Sequence, residues 1–326
     1  MLLRIVLAEA LSEALERMLA LRPPPVPEAA ARRLAGRTLV TGVGLSAGPA
    51  RLLARALEAE GRWARFVPLS GLEDAPRADT CVLFSQGMGD NTELAIRAPA
   101  PTRLAFTGVE PEAETPAGAR LRRFLGDEGE VVPVPAEDHA LPGLLRLHSP
   151  YWGAARALEC VGPAPADLHS STGLAADRLR DRLAPRHLDA AAQHLVLVAY
   201  GRPAESLHAA SWMWTEGALR GPPTCVEALE LAHGPLQALH GRGALYVSVG
   251  PAPEALVGRV ERCLGSAPHL RLPSTLAAPW DALESYVAMA ALLVETLRRH
   301  PELGTSTLPP GSDAPLYGYR GELTDG

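Results

Sequence analysis

The sequence contains no lysine, because all 31 of its basic residues are arginine. Isoleucine occurs only at Ile5 and Ile96, and asparagine only at Asn91. A coding bias toward GC-rich codons would account for all three shortages. Whatever its cause, the absence of lysine excludes a Schiff base on a lysine and a lysine amine as general base.

Cysteine is also scarce, and its spacing excludes two common kinds of site. The chain has four cysteines, none of which forms a C-x-x-C pair: Cys81, Cys160, Cys225 and Cys263. The sequence therefore indicates neither a zinc site nor a redox motif, and we expect no metal and no cofactor. A reducing compartment suits four unpaired cysteines, so a cytoplasmic location is predicted.

Long apolar runs are missing as well. The longest one late in the chain, Tyr286 to Val294, is too short to span a bilayer. Residues 1–20 are apolar enough to suggest a signal peptide, but Glu9, Glu13 and Glu16 interrupt them. Their apolar residues recur at helical spacing, which predicts a packing helix before the prolines at 23–25. No membrane partner is expected.

What the chain does contain is typical of a globular protein. Its 326 residues are 47% hydrophobic and 21% charged, enough for two domains that each bury a core. The net charge of −6 gives no long-range attraction for polyanions, which argues against a nucleic-acid partner.

Buried strands alternate with helical patterns along the chain, which predicts parallel sheets of the α/β class. A strand, a glycine turn and a helix at Thr38 to Gly61 recur at His194 to Gly217 over the same span. We interpret this as two doubly wound, Rossmann-like or flavodoxin-like subdomains in tandem. The predicted domains are 1–150 with an N-terminal helix, 151–300 beginning with a helical linker, and a tail at 301–326.

Two turns have the composition of an anion site, since ligands of parallel sheets bind where strands lead into helices. The first is Gly42 to Ser46, with Gly44 inside it and a hydroxyl at its end. The second is Ser85 to Glu93, where Ser85 and Thr92 carry hydroxyls, Gln86 and Asn91 carry amides, and Gly87 exposes backbone. Either turn is equally consistent with an ordinary glycine or helix-capping turn.

A third segment carries acid–base groups. His233 precedes Gly234-Pro235 and so ends an element, and Glu216, Glu227 and Glu230 are the carboxylates near it in sequence. A carboxylate and an imidazole suit proton transfer between sugar carbons and opening of a sugar ring. Surface glutamates beside a capping histidine remain the alternative.

These segments together resemble the double sugar isomerase (SIS) family, which includes the isomerase half of glucosamine-6-phosphate synthase and related phosphosugar isomerases and deglycases. Residues 227–236, ending in His-Gly-Pro-Leu, resemble its Glu-x-x-His-Gly-Pro-Leu signature. Residues 44–46 resemble its Gly-Thr-Ser turn, 84–86 its Ser-Gln-Ser-Gly phosphate loop, and 200–202 the Gly-Arg turn opening its second unit. The similarity extends over about residues 35–315.

The resemblance implies a homodimer that binds a phosphorylated sugar and interconverts aldose and ketose. It implies Glu216 as the base that moves the proton and His233 as the ring-opening group. It further implies that the groups contacting the phosphate are Gly44, Ser46, Ser85, Gln86, Gly87, Asn91 and Thr92.

The sequence departs from the family pattern in four places. Gly87 stands where the phosphate loop has its second serine, and one extra residue precedes Thr92. The stretch from Glu216 to His233 is one residue longer, and the tail lacks the synthase's lysine, whose space Tyr319 or Arg320 would occupy. Three further hypotheses therefore stand beside the isomerase: a deaminase or deglycase, a non-catalytic sugar-phosphate sensor, and a protein whose ligand has no phosphate.

Overall fold

The structure is a computed structural model that describes residues 2–135, 145–200, 207–239, 241–272 and 274–304, with side chains from residue 7 onward. Its first sheet is parallel and five-stranded, in the order β2-β1-β3-β4-β5. The strands are β1 (Thr38–Gly42), β2 (Ala64–Phe66), β3 (Thr80–Phe84), β4 (Thr102–Thr107) and β5 (Glu130–Pro133). β1 and β3 are buried along their whole length, as expected of central strands covered on both faces.

The second sheet is parallel and four-stranded, in the order β7-β6-β8-β9. Its strands are β6 (Leu195–Ala199), β7 (Thr224–Glu227), β8 (Leu245–Val249) and β9 (His269–Leu272). Numbered within each sheet, both orders begin 2-1-3-4, so the predicted duplication of architecture is present. The α/β fold class with two tandem parallel sheets is confirmed.

Helices connect the strands and cover the sheets. Those described are α1 (Leu2–Ala20), α2 (Glu28–Arg33), α3 (Ala47–Ala59), α4 (Pro116–Leu125), α5 (His148–Glu159), α6 (Leu168–Arg180), α7 (Pro185–Gln193), α8 (His208–Ala218), α9 (Pro235–Leu239), α10 (Glu254–Leu264) and α11 (Asp281–Arg299). None of the helices in the described ranges is long and apolar enough to cross a bilayer.

Two elements differ from the sequence-based expectation. Strand β7 lies inside the segment that the sequence indicated only as a carrier of acid–base groups or of surface glutamates beside a capping histidine, because its four residues are too few to show a period. The helix expected after Ser85 is a 3₁₀ helix, Asp90–Arg97, which begins after Gly89.

Contacts divide the chain into two units that are each discontinuous in sequence. The first-sheet unit contains described residues 22–135 and 148–164, and the second-sheet unit contains 2–21, 145–147 and 165–304. This division differs from a simple split at residue 150, which falls within α5. Helix α5 packs on α3, whereas α1 packs on α11, where both carboxylate oxygens of Glu9 accept hydrogen bonds from Arg298 at 3.0 Å.

The buried carboxylate of Glu284 holds the segment that follows β9. It lies on α11 with 2% of its surface exposed. It accepts hydrogen bonds from the Ser274 hydroxyl (2.6 Å), the Thr275 N–H and hydroxyl (2.8 and 2.6 Å), the Leu276 N–H (2.9 Å) and Arg178 (3.2 Å). Burial alone would raise the pKa of Glu284, but the hydrogen bonds from Ser274, Thr275 and Leu276 outweigh it and hold that pKa below its ordinary value.

We expect Glu284→Ala to lower the free energy of unfolding by about 3 kcal/mol at pH 7, because it leaves several buried donors without an acceptor. Urea unfolding followed by circular dichroism measures this loss. Since the folded-state pKa lies below the unfolded-state value, the contribution exists above about pH 4.5 and disappears as the pH falls through the folded-state pKa.

Glu254→Ala is the matched control. Glu254 also pairs with an arginine, Arg271, at 3.0 Å, but its side chain is 82% exposed. An exposed pair contributes about 0.5 kcal/mol or less. Equal losses in the two variants would contradict the assigned role of Glu284.

Candidate functional site

The carboxyl ends of β1 and β3 lie level in the first sheet, and β4 ends one residue beyond them. Gly42 of β1 pairs with Phe84 of β3, which pairs with Phe106 of β4. Strands β2 and β3 lie on opposite sides of β1, so the strand order reverses between β1 and β3, where ligands of open α/β sheets bind. The turns after β1 and β3 therefore start side by side, about 4.8 Å apart.

The turn after β1 is tight and leads into α3. Gly42 is obligatory here, since a Cβ would lie 2.6 Å from the carbonyl oxygen of Ser46. Gly44 has a φ of +58°, and the Ser46 N–H donates to the Val43 carbonyl at 3.1 Å. The Ser46 hydroxyl is partly exposed and has no hydrogen-bond partner within the described part of the chain. Its proton is available to a ligand.

The turn after β3, residues Ser85 to Thr92 and hereafter the β3 turn, is held by its own polar groups. The Ser85 hydroxyl accepts the Met88 N–H at 3.1 Å. The Gln86 carbonyl accepts the Thr107 hydroxyl (3.1 Å) and the Gly108 N–H (3.2 Å). Met88 has a φ of +46°, unusual for a residue with a side chain, and is fully buried against the core of the first sheet. The buried Met88 side chain thus anchors the centre of the turn in the core of the first sheet.

The polar groups at the far end of the β3 turn also bond to other groups of the protein. Thr92 is buried, and its hydroxyl donates to the Gly89 carbonyl at 2.6 Å. Asp90 forms a 2.7 Å ion pair with Arg120 of α4, whose Nε donates to the Met88 carbonyl at 2.5 Å. Gly87 is exposed with nothing within 4 Å of the position a Cβ would take, and Asn91 is partly exposed.

In the second-sheet unit, Glu216 lies on α8 and is mostly buried. Burial raises the pKa of Glu216 to about 7, against the opposing effect of the positive charge on Arg146. A carboxyl with a pKa near the working pH is suited to accept a proton and return it.

His233 of the same unit is exposed. It follows the 3₁₀ helix Glu230–Ala232, and its N–H donates to the Glu230 carbonyl at 2.9 Å. Glu227 accepts the Leu229 N–H at 2.7 Å and so closes a local turn, which makes it a weaker candidate for acid–base chemistry. Tyr319 and Arg320, and residues 201–202 of the family-like turn, lie outside the described residues.

Sequence reasoning missed four residues that shape these sites: Asp90, Met88, Arg120 and Arg146. Asp90 could have been recognised as an acid in the first turn of a helix. Met88 could not, because nothing in the sequence marks a methionine with positive φ. Neither the Asp90–Arg120 pair nor the influence of Arg146 on Glu216 has a sequence signal, since the partners lie far apart along the chain.

No protein-family model matches the sequence, and no curated protein matches it either. Solved structures do match over nearly the whole chain. Tagatose-6-phosphate ketose/aldose isomerase from Escherichia coli has a TM-score of 0.62 at 19% identity, covering 93% of this chain and 92% of that one. Glucosamine-6-phosphate deaminase from Thermotoga maritima has a TM-score of 0.62 at 16% identity, covering 91% and 94%.

The C-terminal domain of glucosamine-fructose-6-phosphate aminotransferase from Francisella tularensis also matches, with a TM-score of 0.60 at 13% identity, covering 92% of this chain and 95% of that one. The chain thus has the fold of double-SIS phosphosugar isomerases, as its sequence motifs predicted. At these identities the likeness establishes the fold and leaves substrate and activity to experiment.

The same substitution should destabilise the protein at Gly42 and leave its stability nearly unchanged at Gly87. Gly42→Ala forces a Cβ against backbone atoms of Ser46, so we expect a loss of about 2 kcal/mol in the free energy of unfolding. Gly87→Ala meets open space and should change that free energy by less than about 0.5 kcal/mol. Urea unfolding of both variants checks this, and a harmless Gly42→Ala would show that the tight turn is wrongly described.

Proposed function

We propose that this protein is a sugar isomerase that moves a proton between the first and second carbons of a sugar, with Glu216 as the base. The observation that carries the proposal is a mostly buried carboxyl with a pKa of about 7 in a chain with a double-SIS fold. With no lysine in the chain, a lysine amine is excluded as the base, and a carboxylate with a pKa near 7 is suited to this work.

The proposed reaction needs proton transfers at carbon and at oxygen. The ionised Glu216 removes the proton from the second carbon, which gives an enediolate. The hydroxyl proton on the second carbon passes to the oxygen of the first carbon, and protonated Glu216 returns its proton to the first carbon, which leaves a ketone. His233 transfers protons between the ring oxygen and the anomeric hydroxyl when the cyclic sugar opens. Both roles are assigned by residue type and by resemblance, and each is tested by its own substitution.

The fold makes a phosphorylated (amino)sugar the first substrate class to test. The similar structures act, by their names, on tagatose 6-phosphate and glucosamine 6-phosphate. Deaminase or deglycase chemistry is the nearest variant, since it begins with the same proton transfer. A homodimer is part of the proposal, and light scattering of the purified protein measures its mass.

Incubation with candidate sugars in deuterated water tests the base directly. Active protein should introduce deuterium at the second carbon, and Glu216→Gln should slow this exchange at least a hundredfold. Glu261→Gln, an exposed carboxylate of the same unit, should leave the rate unchanged. Normal exchange in Glu216→Gln would rule this residue out as the base.

The pH dependence gives a second test. Because the base works in its ionised form, kcat/KM should rise with pH, reach half its maximum near pH 7 and level off above. The folded state also binds this proton more tightly than the unfolded state, since its pKa exceeds the ordinary 4.5. The stability it contributes is present below about pH 4.5 and lost as the pH rises through about 7.

The Glu216→Gln variant should therefore melt at a higher temperature than the parent protein at pH 8, while being inactive. Such a gain separates loss of the base from loss of the fold. An inactive variant that also melts lower at pH 8 would assign Glu216 a structural role instead.

A non-catalytic sugar sensor is the second candidate, favoured by the internal hydrogen bonding of the β3 turn and by the absence of lysine. Saturable binding without exchange or product would establish it. Efficient turnover would exclude it.

A further inference from the structure

A cavity of about 330 Å³ opens in the second-sheet unit beside the amino ends of β8 and β9. Ligands of parallel sheets usually bind at the other end, where the carboxyl ends of strands lead into helices. The volume falls within the range of small-molecule sites. Side chains from α9, β8, the end of α10 and the segment before β9 line the cavity: Leu236, Leu239, Tyr246, Leu264, Ser266 and Pro268.

One wall of the cavity is a loop with a fixed backbone. Gly241 and Gly243 both line the cavity and have φ angles of +76° and +69°. Between them the Arg242 N–H donates to the Leu239 carbonyl at 3.1 Å. A Cβ at Gly243 would collide with the side-chain amide of Gln193. The loop is therefore held in place by a hydrogen bond and by close packing.

Tyr246 brings an unsatisfied polar group to this cavity. Its side chain is 3% exposed, and its hydroxyl has no hydrogen-bond partner within the described ranges. The hydroxyl is not one of the fully enclosed unpartnered atoms, so it reaches a space open to solvent, and the cavity is the space that Tyr246 lines. A phenol hydroxyl both donates and accepts hydrogen bonds. A ligand that bonds to it would satisfy a polar group that the protein leaves unsatisfied.

The lining of the cavity is uncharged. Among the described lining residues none carries an acidic or basic side chain that is charged at neutral pH. Burial raises the pKa of the Tyr246 phenol above its ordinary value, so this group also stays neutral. A charged ligand would lose its hydration here without gaining a counter-charge. The side chains of Leu236, Leu239 and Leu264 instead suit a hydrocarbon body.

We propose that this cavity binds a small uncharged molecule that has an apolar body and one group hydrogen-bonded to the Tyr246 hydroxyl. The site goes beyond the proposed function, since binding there requires neither Glu216 nor a sugar.

Ligand-observed NMR titration with three matched probes tests the chemical class. Benzyl alcohol has an apolar ring and a hydroxyl, toluene lacks the hydroxyl, and benzoate replaces it with a charge. The parent protein should bind benzyl alcohol with a Kd below about 1 mM, and benzoate at least tenfold more weakly. Toluene should bind about fivefold more weakly than benzyl alcohol. Benzoate binding as tight as that of benzyl alcohol, or no binding of any probe, would overturn the inference.

Tyr246→Phe tests the hydroxyl. This change removes a group with no partner in the described part of the chain, so the melting temperature should change by less than about 2 °C. Benzyl alcohol should bind about fivefold more weakly, with toluene unaffected. Tyr200→Phe is the matched control, because the buried Tyr200 hydroxyl bonds to the Ser248 hydroxyl at 3.2 Å. The control should melt at a lower temperature and bind benzyl alcohol normally.

Ala267→Phe tests the place of binding. Ala267 lines the cavity and is partly exposed, so a larger side chain there should fill the space and weaken benzyl alcohol and toluene alike by at least tenfold. Unchanged affinity for benzyl alcohol in both Tyr246→Phe and Ala267→Phe would overturn the site.

Glu216→Gln separates this inference from the proposed function. The variant should bind benzyl alcohol as the parent protein does, whether or not it loses isomerase activity. A loss of benzyl alcohol binding in Glu216→Gln would contradict the assignment of the probe to this cavity.

Discussion

The level register of β1, β3 and β4 is the constraint on which the first-sheet unit's site depends. Because Gly42, Phe84 and Phe106 share one level, the chain must leave the sheet at three adjacent points, and short turns from neighbouring strands meet there. Gly42 allows the first turn to pass close to Ser46, and Met88 anchors the second in the core. A few turn residues therefore supply the chemical groups at this edge of the sheet. The strands beneath them are constrained mainly by packing.

Much of the fold could be predicted from local hydrophobic patterns in the sequence. The strands β1, β3, β6 and β8 are buried on both faces, so they appear as short apolar runs, and α11 shows its helical period over nineteen residues. Strand β7 escaped prediction because an edge strand of four residues has no such run. Helices α1 and α11, at opposite ends of the described chain, pack together in the second-sheet unit, and no local pattern encodes that contact.

The candidate sites also depend on contacts that no local sequence pattern encodes. Residue types and the family resemblance predicted Ser46, Ser85, Thr92, Glu216 and His233 as site residues, but the function of a hydroxyl depends on where its proton points. Thr92 is the clearest case, since a residue expected to hold a phosphate donates its only proton to its own turn. Glu216 is the converse: the family resemblance implied it across a stretch one residue longer than the family pattern, and its burial in the fold raises its pKa to about 7, which suits proton transfer.

The pairing of α1 with α11 has a consequence for synthesis. The first-sheet unit has all its described residues once position 164 has been made, whereas α1 is made well before α11 and must wait for it. At about 5–20 residues per second the wait lasts on the order of tens of seconds, with Leu11 and Met18 lacking the cover that leaves them fully buried in the finished protein. Helix α1 therefore has no α11 to pack against until nearly all of the second-sheet unit has been synthesised.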